Sequence, residues 1–501
     1  MVAQSPDRGA AGRRAGRRRA RLTALAALAL LNVLTIGAGG ALAGLLPARL
    51  DLWKIRTVSV RPAVRPAALL AGAGAGGPLP SRAGLSAALS GLLARAPLGP
   101  HVSAVVGDPA TGKVLFADNA GSPAEPASTA KLATATAALD VLGPGARFTT
   151  RVVADTPPGR AAGRTPLRIV LVGGGDPTLA AGRPPAGDYP HPATLQALAA
   201  ATARALAAQH HTTVRLGYDT SLYTGPGMAP GWTASYVTTG NVTPISPLEV
   251  DQGRLLPDGR PEDADDPGNL RPRSLAPAAD AAAAFARFLA GDGIRIIGPA
   301  APGRASRAAR QIAAVASPPL AAIVEQMLTE SNNVIAENLA RHVALAAGAP
   351  ASFGRAAGAV MTVLRRLGAG TGMRLVDGSG LSPLDQIPAL TLFRLVSTDS
   401  AAGHPGLRAA ITGLPVAGFS GTLTVGGSVF GDLAAVARGV IRAKTGNLDT
   451  VVSLAGLVDD RAGTVLAFAF MADRVPSVKV LPQAAGLIGK LAAALAGCGC
   501  G

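Results

Sequence analysis

Strand-like runs lie near both ends of the body of this 501-residue chain, with helical patterns between them. Near the start, Val102–Val106 and Val114–Phe116 flank an Asp-Pro-Ala-Thr-Gly turn and predict a hairpin. Near the end, three further runs predict strands, at Gly439–Ala443, Val451–Val458 and Thr464–Met471. Strands at both ends with helices between them predict an α/β (α+β) fold, in which one mixed sheet is built from distant parts of the chain.

The texture of the chain changes between Phe148 and about Ser317, where short strands, Gly/Pro turns and one alanine-rich helix near residues 193–208 appear. We interpret this range as an inserted accessory domain. A glycine- and alanine-rich stretch before Leu85 has the composition of a flexible linker. The predicted segments are a linker at 47–84, a main domain in two parts at 85–147 and 318–497, and the insertion at 148–317.

The N-terminal segment has the order of an export signal, because a cluster of arginines precedes an uncharged run, Leu22–Leu46. The run is long enough to cross a bilayer as a helix, while Ala41-Leu42-Ala43 offers a cleavage site. We favour a basic cytoplasmic leader at 1–21 and an uncleaved transmembrane helix at 22–46. The body would then lie outside the cytoplasm at the cell membrane, or be secreted if the segment is cleaved.

The formal net charge is +17, and the leader alone contributes seven arginines against one aspartate. A basic chain can bind nucleic acid, but the sequence has no zinc-finger spacing, no aromatic RNA-binding motif and no basic stripe after the leader. We therefore predict no nucleic-acid partner and interpret the arginines as solvated groups facing an anionic envelope. Lysine is rare, so a lysine within a motif carries extra information.

The first motif is Ser128-Thr129-Ala130-Lys131, at the expected start of a helix. Positions three residues apart share a helix face, so the lysine amine can reach the serine hydroxyl. A neutral lysine in a dry pocket can take the proton from that hydroxyl and make it a nucleophile. The pattern by itself is also typical of a solvated helix turn.

Two more polar motifs follow, each next to regular structure. Ser331-Asn332-Asn333 lies between two helical stretches, where a hydroxyl and an amide can point into one cleft or simply break the helices. Lys444-Thr445-Gly446 follows a strand-like run. It offers a positive charge and a hydroxyl to a substrate carboxylate, and the glycine lets the substrate lie against the strand edge.

Taken together and in this order, the three motifs resemble those of the serine β-lactamase and penicillin-binding-protein group. The wide gap between Lys131 and Ser331 is similar to that of the low-molecular-mass class C penicillin-binding proteins, the D-alanyl-D-alanine carboxypeptidases and endopeptidases. Leu171–Leu179, Asp377–Ser382 and the Gly231-Trp232 region also resemble this class, over roughly residues 85 to 496. The insertion looks short for the class, so one accessory domain is expected to be reduced or missing.

The resemblance implies a mainly antiparallel sheet flanked by helices, as in penicillin-binding transpeptidases, and an acyl-enzyme on Ser128. It implies peptidoglycan stem peptides as substrates, β-lactam antibiotics as ligands and no cofactor. The implied roles of the motif residues are as follows: Ser128 as nucleophile, Lys131 as its base, Ser331 as proton relay, Asn333 as holder of the substrate amide, Lys444, Thr445, Gly446 and Asn447 as the substrate-binding strand, and the backbone N–H groups of Ser128 and Asn447 as the oxyanion hole.

Two other functions stay open at this point. A β-lactamase would need a carboxylate that primes a water, and no Glu-x-x-x-Asn box precedes Ser331; a non-catalytic wall-binding scaffold would need a blocked cleft. No cluster of histidines or carboxylates has metal-ligand spacing, so we expect no metal. Cys498 and Cys500 predict neither a zinc site nor a disulfide framework.

Overall fold

The structure is a computed structural model that describes residues 77–155, 166–183, 189–255, 271–424 and 437–500. The predicted leader and the apolar run at 22–46 lie outside these residues, as does most of the predicted linker. In the part of the chain that is described, no helix combines the length and the apolar character needed to cross a membrane.

Regular structure covers most of the described residues. Helices α1 to α11 are, in chain order, Arg82–Leu93, Lys131–Leu142, Leu195–Ala207, Ser235–Thr238, Pro277–Gly291, Leu320–Thr329, Asn333–Ala346, Phe353–Arg366, Ala389–Ser400, Ala409–Thr412 and Leu481–Ala496. Strands β1 to β13 are Val102–Gly107, Val114–Asp118, Pro123–Ala124, Thr149–Ala154, Leu167–Val172, Thr213–Asp219, Arg295–Ile296, Ala301–Pro302, Arg310–Ala316, Ile387–Pro388, Ile441–Leu448, Val451–Asp459 and Val465–Ala472.

The main sheet has five strands in the order β11-β12-β13-β1-β2. It joins the two ends of the chain, since Val105 of β1 lies opposite Ala469 of β13. This confirms the sheet predicted from distant strands, but the expectation that it would be mixed is wrong, because every pair in it is antiparallel. Short turns join β1 to β2, β11 to β12 and β12 to β13, and such turns allow only antiparallel pairing.

Alternating side chains of β13 bury into two different cores, because successive residues of a strand point to opposite faces. Phe468 and Phe470 pack on one face, in a cluster that includes residues of α1 and α11. Ala469 and Met471 pack on the other face, in a cluster with residues of α2, α7 and α9. The main sheet is therefore the middle layer between two layers of helices.

A second sheet contains the strands from Thr149 to Ala316, in the order β7-β6-β5-β4-β9, with β8 also pairing with β6. It is the mixed sheet of the protein: β4 pairs antiparallel with β5 and β9, and β6 pairs parallel with β5, β7 and β8. Its own core includes Leu198 of α3 and Phe285 of α5. The range interpreted as an insertion, 148–317, holds this sheet and core, and its bounds stay a prediction.

The described chain ends against the start of helix α1, where the backbone N–H of Ser81 donates to the carbonyl of Cys500 at 2.8 Å. We expected neither a zinc site nor a disulfide framework from the two cysteines, and the structure pairs them with each other. Just after α11 the chain turns and brings the Cα atoms of Cys498 and Cys500 to 5.1 Å, and the two residues form a disulfide.

Candidate active site

Ser128 lies on a short 3-10 turn, Ala127–Ala130, that leads directly into α2. We expected the helix to begin at Ser128, but its first residue is Lys131. The turn starts with Ala127 in the left-handed region, at a φ of 47°. This conformation is unfavourable for a residue with a Cβ, so the surrounding structure must enforce it. Ser128 is the second residue of this turn and is partly exposed.

Strand β11 lies close against the same turn. The carbonyl of Pro126 accepts hydrogen bonds from the hydroxyls of Thr129 and Ser453, each at 2.7 Å. A Cβ on Gly446 would lie 2.7 Å from that carbonyl oxygen and 2.2 Å from the Ser453 hydroxyl oxygen. The glycine of the third motif is therefore required by the close approach of the turn, in addition to the room expected for substrate.

Lys131 is fully buried at the start of α2. Its Nζ donates to Ser128 Oγ at 2.8 Å, to Asn333 Oδ1 at 2.6 Å and to the Ser379 carbonyl at 2.9 Å. The last two contacts fix the direction of the amine, and the first connects it to the hydroxyl whose proton it would take. The geometry expected from the three-residue spacing is thus present.

Ser331 is buried between α6 and α7 and has a left-handed φ of 57°. Asn332 caps α7, since its side chain accepts from a backbone N–H of the first turn. This turn directs the first and third residues of the motif into one site: Lys444 Nζ donates to Ser331 Oγ at 2.9 Å, and Asn333 contacts Lys131. Each lysine therefore contacts one residue of the Ser-x-Asn motif.

The third motif, Lys444–Asn447, lies within β11, an edge strand of the main sheet. We expected a strand that stops at Ala443, but β11 continues through the motif. The hydroxyl of Thr445 lies 2.7 Å from that of Thr422, which adds a loop contact to the strand. Among the described strands β11 pairs only with β12, and the first residues of its other edge form backbone hydrogen bonds with Pro415 and Ala417.

Loops of the insertion contact this site directly. The Asn333 Nδ2 atom donates to the carbonyl of Asn241 at 2.9 Å. The indole Nε1 of Trp232 donates to Asp377 Oδ2 at 2.7 Å. These loops are therefore in contact with the groups that surround Lys131.

A buried carboxylate supports the backbone next to Lys131. Glu337 Oε1 accepts from the N–H groups of Gly378 and Ser379 at 3.0 and 2.8 Å. Burial, followed by the charge of Asp377, raises the pKa of Glu337 to about 8, and Arg341 and the hydrogen bonds from Ser379 and Gly378 act in the opposite direction. The guanidinium of Arg341, 3.7 Å from the Glu337 carboxyl group, does not supply enough positive charge to cancel the effect of burial on this pKa.

The structure brings all eight predicted site residues to the junction of α2, α7 and β11. Sequence reasoning gave no role to the carbonyls of Ser379 and Asn241, because any residue type supplies a carbonyl. It also missed Glu337, although a signal was present: Asn333, Glu337 and Arg341 are spaced four apart, so they form a polar stripe on one face of a helix whose other residues are largely apolar.

Penicillin-binding proteins and serine β-lactamases carry out acyl transfer with these three motifs at one sheet edge, and the fold and geometry described above place the chain in that class of serine hydrolases. Within the class, the chain belongs to the D-Ala-D-Ala carboxypeptidase 3 (S13) family, whose family model matches residues 85–271 and 258–493. The family expected from the motifs is confirmed. The protein is a hydrolase, a serine-type D-Ala-D-Ala carboxypeptidase.

The chain is similar over most of its length to curated members of this group. It is 39% identical over 432 residues to carboxypeptidase DacB of Mycolicibacterium smegmatis, covering 85% of this chain and 86% of the relative. It is 29% identical over 432 residues to a D-alanyl-D-alanine carboxypeptidase of Actinomadura sp., covering 73% and 76%. Its fold is similar to that of penicillin-binding protein 4 from Haemophilus influenzae, with a TM-score of 0.63 and 21% identity over 82% of this chain and 98% of that one.

Proposed function

We propose that the protein removes or cuts at D-alanine in peptidoglycan stem peptides, as carboxypeptidase and endopeptidase, through an acyl-enzyme on Ser128. The observation that carries this assignment is the 2.8 Å hydrogen bond between Lys131 Nζ and Ser128 Oγ. A serine hydroxyl becomes nucleophilic when a positioned base takes its proton. Lys131 is the base, and its burial favours the neutral form that the role requires.

In the first half-reaction Lys131 takes the Ser128 proton while Oγ bonds to the carbonyl carbon of the penultimate D-alanine. The peptide C–N bond then breaks, and the proton that Lys131 took passes through Ser331 to the leaving amine, so that Lys131 is neutral again and Lys444 keeps its charge. Water attacks the resulting ester, releases the shortened peptide and returns the proton to Ser128. Ser331 suits a relay because it is buried and hydrogen-bonded to Lys444.

Substrate would lie along β11. The charge of Lys444 and the hydroxyl of Thr445 would bind the terminal carboxylate, and the backbone N–H groups of Ser128 and Asn447 would stabilise the oxyanion. Asn333 would bind the substrate amide. Its Nδ2 has two hydrogens, of which the Asn241 carbonyl takes one, so the second is available to a substrate carbonyl.

We also propose that β-lactams acylate Ser128, because a strained β-lactam presents a carbonyl and a carboxylate in the arrangement that this strand would hold. The penicillin-binding protein 4 of Haemophilus influenzae has been solved in complex with a novel β-lactam, with a TM-score of 0.59 and 22% identity to this chain. The proposed location is the outer face of the cell membrane, with 22–46 as anchor. The arginine cluster before this apolar run supports that orientation.

A fluorescent penicillin tests the proposal. Slow, stable labelling of the purified protein, together with release of D-alanine from a D-Ala-D-Ala peptide, is the expected result. Rapid turnover of the penicillin would instead indicate a β-lactamase, and absence of both labelling and peptide cleavage would indicate a scaffold.

A further inference from the structure

A tight turn at residues 377–382, here called the Gly-Ser-Gly turn, touches the proposed base and the residue before the proposed nucleophile. The Ser379 carbonyl accepts from Lys131 Nζ at 2.9 Å. Gly380 has a φ of 78°, and a Cβ there would lie 1.9 Å from the carbonyl oxygen of Ala127, the residue before the nucleophile. Any shift of this turn would therefore move an acceptor of the base and press on the nucleophile turn.

The carboxylate of Asp377 shapes the Gly-Ser-Gly turn from within. Asp377 is buried, and its Oδ1 accepts from the N–H groups of Ser379 at 3.0 Å and Gly380 at 2.7 Å. Its Oδ2 accepts from the N–H of Ser382 at 2.7 Å and from the indole of Trp232 at 2.7 Å. Trp232 is thus a donor to this carboxylate that comes from outside the turn, from the insertion.

Packing holds the Trp232 ring in place independently of that hydrogen bond. The ring is half-buried and meets Phe353 of α8 edge-on, with centroids 5.3 Å apart. Phe353 in turn lies under the guanidinium of Arg341, at 3.9 Å. A phenylalanine at position 232 would keep an aromatic ring against Phe353 and remove only the N–H donor.

We propose that Trp232 is a positioning residue for acylation. Its indole N–H fixes the Asp377 carboxylate, and the Gly-Ser-Gly turn passes that placement to the Ser379 carbonyl, which directs the Lys131 amine to Ser128. The inference rests on the proposed role of Lys131 as the base. The insertion thereby takes part in the chemistry without touching the reacting atoms, because a base works only when it is held within a fraction of an ångström of the productive geometry.

The test is the acylation of the full-length Trp232→Phe variant by a fluorescent penicillin. This probe has no stem-peptide side chain, so its rate does not depend on how the protein binds one. We expect the second-order rate constant of acylation to fall roughly ten-fold, which is less than the loss of about 100-fold that a 1 Å misplacement produces. The final amplitude of labelling should stay unchanged. The acid limb of the rate–pH profile should move to lower pH, since a carbonyl acceptor favours the charged amine and this acceptor is displaced.

Tyr223→Phe is the matched control. Like Trp232→Phe, it removes a single hydrogen bond made by the insertion. This bond runs from the Tyr223 hydroxyl to Asn338 Oδ1 of α7, at 2.8 Å, and does not involve the Gly-Ser-Gly turn. Its acylation rate should stay within about two-fold of the parent rate, as for sites that share no partner. An equal loss in both variants would overturn the specific role of Trp232.

Two further outcomes would also overturn the inference. An unchanged rate in Trp232→Phe is one, and a reduced labelling amplitude with an unchanged rate constant and pH profile is the other, because a merely structural role lowers the fraction of active molecules. Lys131→Arg, measured alongside, separates the two proposals. If Lys131→Arg acylates normally, the proposed base is wrong; if it is inactive and Trp232→Phe is normal, only this inference fails.

Discussion

Lys131 and Asn333 lie 202 positions apart in the sequence, and Lys131 Nζ donates to Asn333 Oδ1 at 2.6 Å. This contact joins the first and second motifs across the insertion, and the bond from Lys444 to Ser331 joins the second motif to the third. The two lysines are both buried, yet the proposed mechanism needs one neutral and one charged.

The first prediction uses that difference in charge. Arginine stays protonated, so it can replace an anchor in part but cannot replace a base. Lys131→Arg should lose acylation by about 10³-fold or more, while Lys444→Arg should keep a measurable rate and Lys444→Ala should lose more. The measurement is the second-order acylation rate with one β-lactam and one D-Ala-D-Ala peptide. Equal rates for the two arginine variants would show that Lys131 is not the general base.

Gly446→Ala should damage the nucleophile turn. The new methyl group would meet the Pro126 carbonyl oxygen at 2.7 Å, so the backbone before Ser128 must shift, at a cost of about 1–3 kcal/mol for overpacking. We expect slower acylation and a lower melting temperature. Gly486→Ala in α11 is the control, because a Cβ there meets nothing within 4 Å, and a helical alanine is more stable than glycine by up to about 1 kcal/mol. Unchanged acylation in Gly446→Ala would contradict the close approach of β11.

Glu337 should make the free energy of unfolding depend on pH. Burial and the charge of Asp377 raise its pKa from 4.5 to about 8, so the folded protein holds this proton more tightly than the unfolded chain does. The contribution of this group to stability is therefore lost as the pH rises from 4.5 to about 8. Glu337→Gln cannot titrate and should give a shallower slope over that range in urea unfolding. If the free energy of unfolding depends on pH equally in both proteins, Glu337 is not the group that titrates.

The proposed topology predicts that protease added to intact spheroplasts digests the body of the protein. The reason is the arginine cluster before the apolar run at 22–46, which holds the N-terminus in the cytoplasm. A variant without residues 1–46 should stay inside and be protected. Protection of the full-length protein would refute an extracytoplasmic body.

The three motifs could be found from sequence because each depends on local spacing within one element or turn. The main sheet could be predicted because each of its longer strands has a local run of strand-forming residues. The left-handed φ of 57° at Ser331 could not be foreseen, since only tertiary packing holds a serine there. Nor could the carbonyl of Ser379, because its position depends on Glu337, which approaches from α7, and on the way Asp377 folds the turn around itself.

The extent of β11 also differs from the expectation. A lysine, a glycine and an asparagine lower the strand propensity of Lys444–Asn447, so the sequence predicts that the strand ends before them. The structure extends β11 through these residues because each pairs with β12, from Lys444 opposite Ala455 to Asn447 opposite Val452. Pairing across the sheet therefore overrides local propensity at the residues proposed to bind substrate.

Mapping the acyl group by mass spectrometry after reaction with benzylpenicillin tests whether Ser128 is the nucleophile. We expect one penicilloyl group per molecule, on the peptide that carries Ser128, and none on a Ser128→Ala variant that keeps a melting temperature close to that of the parent. A penicilloyl group on any other residue, or an unchanged yield in Ser128→Ala, would contradict the assignment of Ser128 as the nucleophile.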